Sequence, residues 1–303
     1  MITGWLDLPF TGPFDLAASA RFIEGFTPSR SFTDESARLR LAFPASPSWR
    51  PVGALVRQQE PDGAVEVRLN AEEEDVAAAA EHVRRILSLD VDGTGFPALA
   101  GCDPVVGELQ SAAPGLRPVL FHSPYEAACW SVVGQRVRMA QAAELRSQIA
   151  RRVGTKVAVP AGTGELPGIQ LDTFPAPRRL LSLGRVPLLP EVKSARLFGI
   201  AEAALAGALD AGTLRALPAV QALRFLATLP GIGPFSAQLI LLRGAGHPDV
   251  FATAEPRLHQ AITTAYGLVN PSLDELEHVA EGWRPYRTWV SVLLRARSEL
   301  ART

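Results

Sequence analysis

The sequence predicts a mainly α-helical protein with a smaller mixed α/β antiparallel-sheet domain at its N-terminus. Residues 1–98 contain short segments of alternating or β-branched residues with turn residues between them, which is typical of strands. From there to the end of the chain, apolar residues recur at helical spacing. Two of the predicted helices are joined by Leu-Pro-Gly-Ile-Gly at 229–233, a sequence typical of a tight reversal. We therefore predict an N-terminal domain of residues 1–98 and a helical region of residues 99–303.

The N-terminal domain is predicted to hold an antiparallel sheet backed by helices. In residues 37–43 apolar side chains alternate with arginines, which indicates a half-buried strand. We expect two further strands at residues 52–58 and 65–69, joined by the turn sequence Glu60-Pro61-Asp62-Gly63. Later in the chain, residues 155–172 are rich in Gly and Pro, which predicts an exposed loop.

Composition indicates a folded protein without a strongly basic character. Charged residues make up 20% and hydrophobic residues 47% of the 303 residues, and the formal net charge is −1. Any contact with nucleic acid must therefore come from a local patch and from backbone amides. With only Cys102 and Cys129, the sequence supports neither a disulfide scaffold nor a four-cysteine iron–sulfur cluster.

The sequence contains no recognisable export or membrane segment. The first residues show no basic stretch followed by an apolar run. No window reaches the ~18 apolar residues that a membrane-spanning helix needs. We expect a cytoplasmic protein with no membrane partner.

The hairpin at 229–233 is the sequence feature with the clearest chemical meaning. Pro230 ends the first helix, and we expect Gly231 and Gly233 to adopt positive φ. Ser236 is predicted to cap the second helix. Outward-pointing backbone N–H groups and a helix N-terminus together form a binding site for one phosphate group.

The hairpin and the later carboxylate Glu255 resemble the corresponding motif and acidic segment of the helix-hairpin-helix DNA glycosylase superfamily. Further segments resemble, in the same order, the 3-methyladenine (alkyladenine) DNA glycosylases of the bacterial inducible type, or type II. These segments are 85–90 with 96–99, 115–118, 123–127 with Trp130 and Gly134–Gln135, 193–196, and 283–288. The likeness covers the helical region, and a mixed N-terminal domain also fits this branch.

The resemblance implies two helical subdomains that flank a cleft for double-stranded DNA with a damaged base. That base is flipped into a pocket and removed in base-excision repair. A monomer associated with the nucleoid is expected. The predicted base-pocket residues are Gln135, Trp130, Tyr125 and Trp289. The predicted DNA-contacting residues are Leu229, Gly231, Ile232, Gly233, Ser236, Arg284 and Arg287.

Each of these assignments has a structural alternative. Aromatic residues at helical spacing are more often part of a core than of a pocket. Gln135 can instead be a buried amide bound to backbone groups. Arg284 and Arg287 can belong to a solvated helix face.

The proposed chemistry depends on a carboxylate. Hydrolysis of an N-glycosidic bond builds positive charge on the sugar, which a nearby carboxylate stabilises while it orients or deprotonates the attacking water. In the family this residue is an aspartate, and its position falls on Glu255. The extra methylene moves the carboxylate by roughly a bond length, and an error of about 1 Å can cost ~10²-fold in rate. Glu255 is therefore a working catalytic carboxylate in a reshaped pocket, a weakened remnant, or a misaligned residue.

The residue after the hairpin glycines distinguishes two kinds of chemistry. Bifunctional members of the superfamily carry a lysine there, which forms a Schiff base with the sugar. Because Phe235 stands at that point, the resemblance implies a monofunctional hydrolase without a cofactor. The competing hypothesis is a non-catalytic or weakly active binder of damaged or distorted DNA.

Metal ions enter the predictions only through the resemblance. The histidines lack the paired spacing of a metal site, so none is predicted. In the family, however, the hairpin can hold a monovalent cation through backbone carbonyls. The corresponding carbonyls here are near Leu229, Gly231 and Ile232.

Overall fold

The computed structural model describes residues 1–26, 32–33, 38–61, 63–162 and 168–300. Residue 37 of one predicted strand, residues 163–167 of the predicted loop and residues 301–303 lie outside this part of the chain. The strands are β1 (Ile2–Asp7), β2 (Phe32–Thr33), β3 (Leu39–Ala45), β4 (Arg50–Gln58), β5 (Val65–Asn70), β6 (Lys156–Val159) and β7 (Ile169–Asp172).

Helices make up most of the remaining described chain. They are α1 (Leu16–Phe26), α2 (Val76–Ile86), α3 (Leu99–Cys102), α4 (Pro104–Ala112), α5 (Pro124–Val133), α6 (Met139–Val153), α7 (Pro177–Leu181), α8 (Glu191–Leu205), α9 (Ala211–Ala216), α10 (Ala219–Leu226), α11 (Pro234–Leu239), α12 (Pro256–Ala265), α13 (Leu273–Glu281) and α14 (Arg287–Leu300). A π-helical segment, Ile240–Ala245, follows α11 directly. None of the described helices is long and apolar enough to cross a lipid bilayer.

The first five strands form an antiparallel sheet in the order β1-β5-β4-β3-β2, which confirms the predicted fold class. Leu39, Leu41 and Phe43 alternate along β3 and are buried on one face of the sheet. This face packs on α2, where the ring of His82 lies 4.7 Å from the ring of Phe43.

The prediction of an exposed loop over residues 155–172 is wrong in its described parts. Strands β6 and β7 pair as a two-stranded antiparallel sheet. Val157 and Val159 are buried because they pack on Ala42 and Leu55, on the outer face of the five-stranded sheet. The alternating valines are a strand signal that the neighbouring Gly and Pro residues obscured.

Buried contacts cross the predicted boundary between residues 98 and 99. The guanidinium of Arg117 is buried and donates to the backbone oxygens of Pro13 at 2.9 Å, Ser88 at 3.0 Å and Val91 at 3.1 Å. One apolar core runs from the sheet into the helical body. The two layers therefore share a core, and the boundary stays a prediction.

Candidate active site

The hairpin between α10 and α11 buries its apolar residues and exposes Gly233. Leu229 and Ile232 are buried, and the N–H of Ile232 donates to the backbone oxygen of Leu229 at 3.1 Å. Gly231 has φ +78°, as expected. Gly233 is exposed and is the N-cap of α11.

Two local predictions about this hairpin are wrong. Gly233 has φ −98° and ψ −178°, an extended conformation rather than a left-handed one. Ser236 does not cap α11, because Pro234 already occupies the first helical position. Ser236 lies within the first turn of the helix and is half-buried.

The hairpin rests on α8 through two close contacts. A β-carbon on Gly231 would lie 2.6 Å from Cδ of Arg196, and one on Gly199 would lie 2.8 Å from Cγ of Pro230. Glycine at both positions therefore lets the turn approach α8. These two contacts set the distance between the hairpin and α8.

Gln135 is bound to the hairpin. Its Nε2 donates to the backbone oxygen of Gly231 at 2.6 Å, and its Oε1 accepts from Nη1 of Arg196 at 2.6 Å. Nζ of Lys193 donates to the backbone oxygens of Val133 and Gln135, both at 2.8 Å. Both ends of the Gln135 amide are thus used within the protein, and its assignment to the base pocket stays a prediction.

Glu255 lies at the N-terminus of α12, and Gln238 connects its segment to the hairpin helix. Gln238 Nε2 donates to Oγ1 of Thr253 at 2.6 Å, and its Oε1 accepts from the N–H of Ala254 at 2.9 Å. Gln238 is buried on α11. Sequence reasoning missed this residue, although a glutamine among the apolar residues of a buried helix was a signal.

The carboxylate of Glu255 is paired with an arginine from the last helix. Its Oε1 accepts from Nε of Arg295 at 2.7 Å, and its side chain is 29% exposed. A second guanidinium, that of Arg243, lies nearby. Desolvation lowers the pKa of Arg243 to about 10, against the opposing influence of Glu255. The sequence contained no signal for the Arg295 contact, which joins residues far apart in the chain.

The two arginines predicted to contact DNA bind carboxylates of the protein itself. Arg287 donates from Nε to Oδ1 of Asp249 at 2.7 Å and from Nη1 to Oε1 of Glu281 at 2.8 Å. Arg284 donates to Oδ2 of Asp249 at 2.9 Å and from Nε to Oε2 of Glu281 at 2.6 Å. The side chain of Arg287 is 15% exposed and that of Arg284 is half exposed, and the assignment of both to DNA contact stays a prediction.

Curated relatives were found in several bacteria, although no family model matches the chain. The chain is 26% identical over 219 residues to DNA-3-methyladenine glycosylase of Bacillus subtilis, covering 71% of this chain and 70% of that protein. It is 29% identical over 199 residues to DNA-3-methyladenine glycosylase 2 of Escherichia coli, covering 62% of this chain and 64% of that protein. The match thus spans less than two thirds of the second relative's length.

Solved structures share the fold over almost the whole chain. A 3-methyladenine DNA glycosylase from Archaeoglobus fulgidus superposes with a TM-score of 0.74 at 18% identity, covering 98% of this chain and 99% of that one. In sequence and in fold, the chain is therefore similar to DNA glycosylases of the helix-hairpin-helix type. An 8-oxoguanine glycosylase/lyase of Clostridium acetobutylicum, solved with double-stranded DNA, has a TM-score of 0.66 at 16% identity and covers 99% of both chains.

The predicted pocket aromatics lie in the core of the protein. Tyr125 is fully buried, and its hydroxyl donates to the backbone oxygen of Pro175 at 2.9 Å. Trp289 is 2% exposed and packs edge-on against Phe96. A stacking role for these two is therefore not supported. Trp130 is 8% exposed, and its assignment to the pocket stays a prediction.

The family's hairpin cation also stays a prediction. Of the three expected carbonyls, that of Leu229 accepts from Ile232, and that of Gly231 accepts from Gln135. Among the described residues, no group of three or more His, Cys, Asp or Glu side chains is arranged to hold a metal ion. The proposed hydrolysis does not depend on a cation.

Proposed function

We propose that this chain is a monofunctional DNA glycosylase that hydrolyses the N-glycosidic bond of alkylated purines, of the 3-methyladenine type, in base-excision repair. Its similarity in sequence to two bacterial proteins named as DNA-3-methyladenine glycosylases supports the glycosylase class. The observation that carries the finer proposal is Gln238, which ties the segment before Glu255 to the hairpin helix. A DNA anchor and a carboxylate are thereby held in one fixed arrangement.

The hairpin binds the phosphate backbone in this proposal. In the described part of the chain, the N–H groups of Gly231 and Gly233 have no protein acceptor. They are therefore free to donate to a phosphate oxygen. The damaged base leaves the stack and is held beside the sugar-facing carboxylate.

Glu255 stabilises the cationic sugar and orients the attacking water. Alkylated purines already carry positive charge, so their departure needs little protonation by the protein. With Phe235 where a lyase lysine would stand, no Schiff base forms and the reaction ends with an abasic site.

The direct test is incubation of the protein with methylated duplex DNA and chromatographic measurement of released 3-methyladenine or 7-methylguanine. We expect release by the natural protein and a loss of at least ~10²-fold in rate for Glu255→Gln, because the charge on the carboxylate is removed. Glu277→Gln, which alters an exposed carboxylate on α13, is the matched control. No release at stoichiometric protein, or equal release by Glu255→Gln, contradicts the proposal.

A second candidate function is binding of distorted DNA without efficient hydrolysis. The Arg295 guanidinium 2.7 Å from Glu255 favours it, because this charge offsets that of the carboxylate. This candidate requires binding to abasic-site duplexes at moderate salt without base release. Absence of affinity for such duplexes contradicts both the glycosylase proposal and this second candidate function.

A further inference from the structure

The contact between Glu255 and Arg295 engages only one of the two carboxylate oxygens. Nε of Arg295 donates to Oε1 of Glu255 at 2.7 Å. Among the described residues, Oε2 has no hydrogen-bond partner. Arg295 is itself well buried, with a side chain 13% exposed, and its Nη1 donates to Oγ of Ser298 at 3.4 Å.

The backbone of Glu255 is held independently of this contact. Its carbonyl accepts from the N–H groups of Leu258 at 3.0 Å and His259 at 3.2 Å. Gln238 holds the two residues before it. The side chain does not cap α12, so Arg295 supplies the hydrogen bond that fixes it.

A glutamate needs such a contact more than an aspartate does. Its extra rotatable bond gives the carboxylate more positions, so ordering a glutamate side chain costs more conformational entropy. Displacement of a reacting group by about 1 Å can cost ~10²-fold in rate. An arginine that binds one oxygen restricts this freedom and leaves the other oxygen without a hydrogen-bond partner among the described residues.

We propose that Arg295 is the positioning residue of the catalytic carboxylate, holding Glu255 through Oε1 so that Oε2 faces the developing positive charge on the sugar. The proposal rests on the proposed function, since it assigns a task to the same carboxylate. Arg295 touches no substrate atom. The alternative is that Arg295 merely neutralises Glu255. In that case, removal of Arg295 should increase base release and cation preference instead of lowering them.

Two duplexes distinguish these roles. One carries a pyrrolidine abasic analogue, whose ring nitrogen is cationic at neutral pH and mimics the charged sugar, and the other carries neutral tetrahydrofuran. We expect the natural protein to prefer the cationic duplex. Arg295→Gln should reduce that preference and slow single-turnover base release at least ~10-fold, with unchanged affinity for the neutral duplex. Arg295→Lys keeps the charge and should recover part of both.

Arg297→Gln is the matched control, because Arg297 is half exposed on the same helix and pairs with Glu108 at 3.1 Å. This control should change neither the preference for the cationic duplex nor the rate of base release. A second measurement uses Glu255→Asp, whose shorter side chain draws back from Arg295. In that background, Arg295→Gln should have little further effect on release.

Increased or unchanged release and cation preference in Arg295→Gln overturn the positioning role. Equal effects of Arg295→Gln in the natural protein and in the Glu255→Asp variant overturn it as well. Should Arg295→Gln fail to fold, Arg295→Lys decides: a partial loss of release at unchanged affinity for the neutral duplex supports the positioning role, and unchanged or increased release overturns it. The proposed function itself is tested by the natural protein alone. It is refuted if that protein neither releases base nor prefers the cationic duplex.

Discussion

Gly231 is held in a conformation that only glycine adopts without strain. Its φ of +78° lies in the left-handed region, where other residues incur a steric cost of about 1–2 kcal/mol. A side chain there would also meet Arg196, the residue that orients Gln135. Backbone shape, side-chain support and the outward amide groups thus depend on one missing β-carbon.

The two hairpin glycines should therefore respond differently to the same change. Gly231→Ala should lower the free energy of unfolding by about 2 kcal/mol, since strain at positive φ adds to the contact with Arg196. Gly233→Ala should change it by less than about 0.5 kcal/mol, because Gly233 is extended and no atom lies within 4 Å of the added carbon. Urea unfolding of both variants is the measurement, and equal losses would contradict this account.

At the scale of elements, the N-terminus of α14 is clamped to the chain that precedes Glu255. The N–H of Thr288 donates to the backbone oxygen of Pro248 at 2.9 Å, and Oγ1 of Thr288 donates to that of Val250 at 3.1 Å. Asp249 accepts from both the backbone N–H and the guanidinium of Arg287. One end of the segment is thus fixed to α14, and Gln238 fixes the other.

Removal of the arginines that bind Asp249 should destabilise the protein, and the more buried arginine should have the larger effect. Arg287→Ala should lower the free energy of unfolding by about 2 kcal/mol, because the largely buried Asp249 loses its main donors. Arg284→Ala, at a half-exposed side chain that shares the same carboxylates, should cost under about 1 kcal/mol. Thermal unfolding of the pair checks the ranking, and a larger loss for Arg284→Ala would overturn it.

Elements with a clear period were predictable, and contacts between them were not. The alternation in β3 and the helical spacing after residue 98 gave the fold class, because each pattern reports one buried face. Strand β6 was missed since only two valines alternate among Gly and Pro residues. Gln238 and Arg295 act through partners distant in sequence, and no local pattern specifies such a partner.

At the scale of the whole molecule, a buried polar cluster joins the sheet layer to the helical body. His82 and Arg85 on α2 bind the backbone oxygen of His122. Glu126, which follows the N-cap of α5, accepts from Arg146 at 2.8 Å and lies 3.4 Å from Nδ1 of His122. Sequence spacing explains why His122 and Glu126 lie close together, but only tertiary packing brings His82, Arg85 and Arg146 to them.

This cluster makes the stability of the protein sensitive to acid. Burial, together with nearby Arg85, lowers the pKa of His82 from 6.5 to about 3. Burial raises the pKa of Glu126, but His122 and Arg146 more than offset this and lower it from 4.5 to about 2. In both cases the unfolded chain binds the proton more readily than the folded one, so stability is lost as pH falls.

The free energy of unfolding should therefore begin to fall below pH 6.5, because His82 becomes protonated in the unfolded chain while it stays neutral in the folded protein. One such proton corresponds to a slope of about 1.4 kcal/mol per pH unit, and Glu126 adds a second below pH 4.5. His82→Gln keeps a donor for the oxygen of His122 and should reduce the slope between pH 6.5 and 4.5 by about one proton. His278→Gln, at an exposed histidine on α13, should leave the slope unchanged. Urea unfolding across this range separates the two, and an equal slope in His82→Gln and the natural protein would show that the sheet–helix junction is not the acid-sensitive part of the molecule.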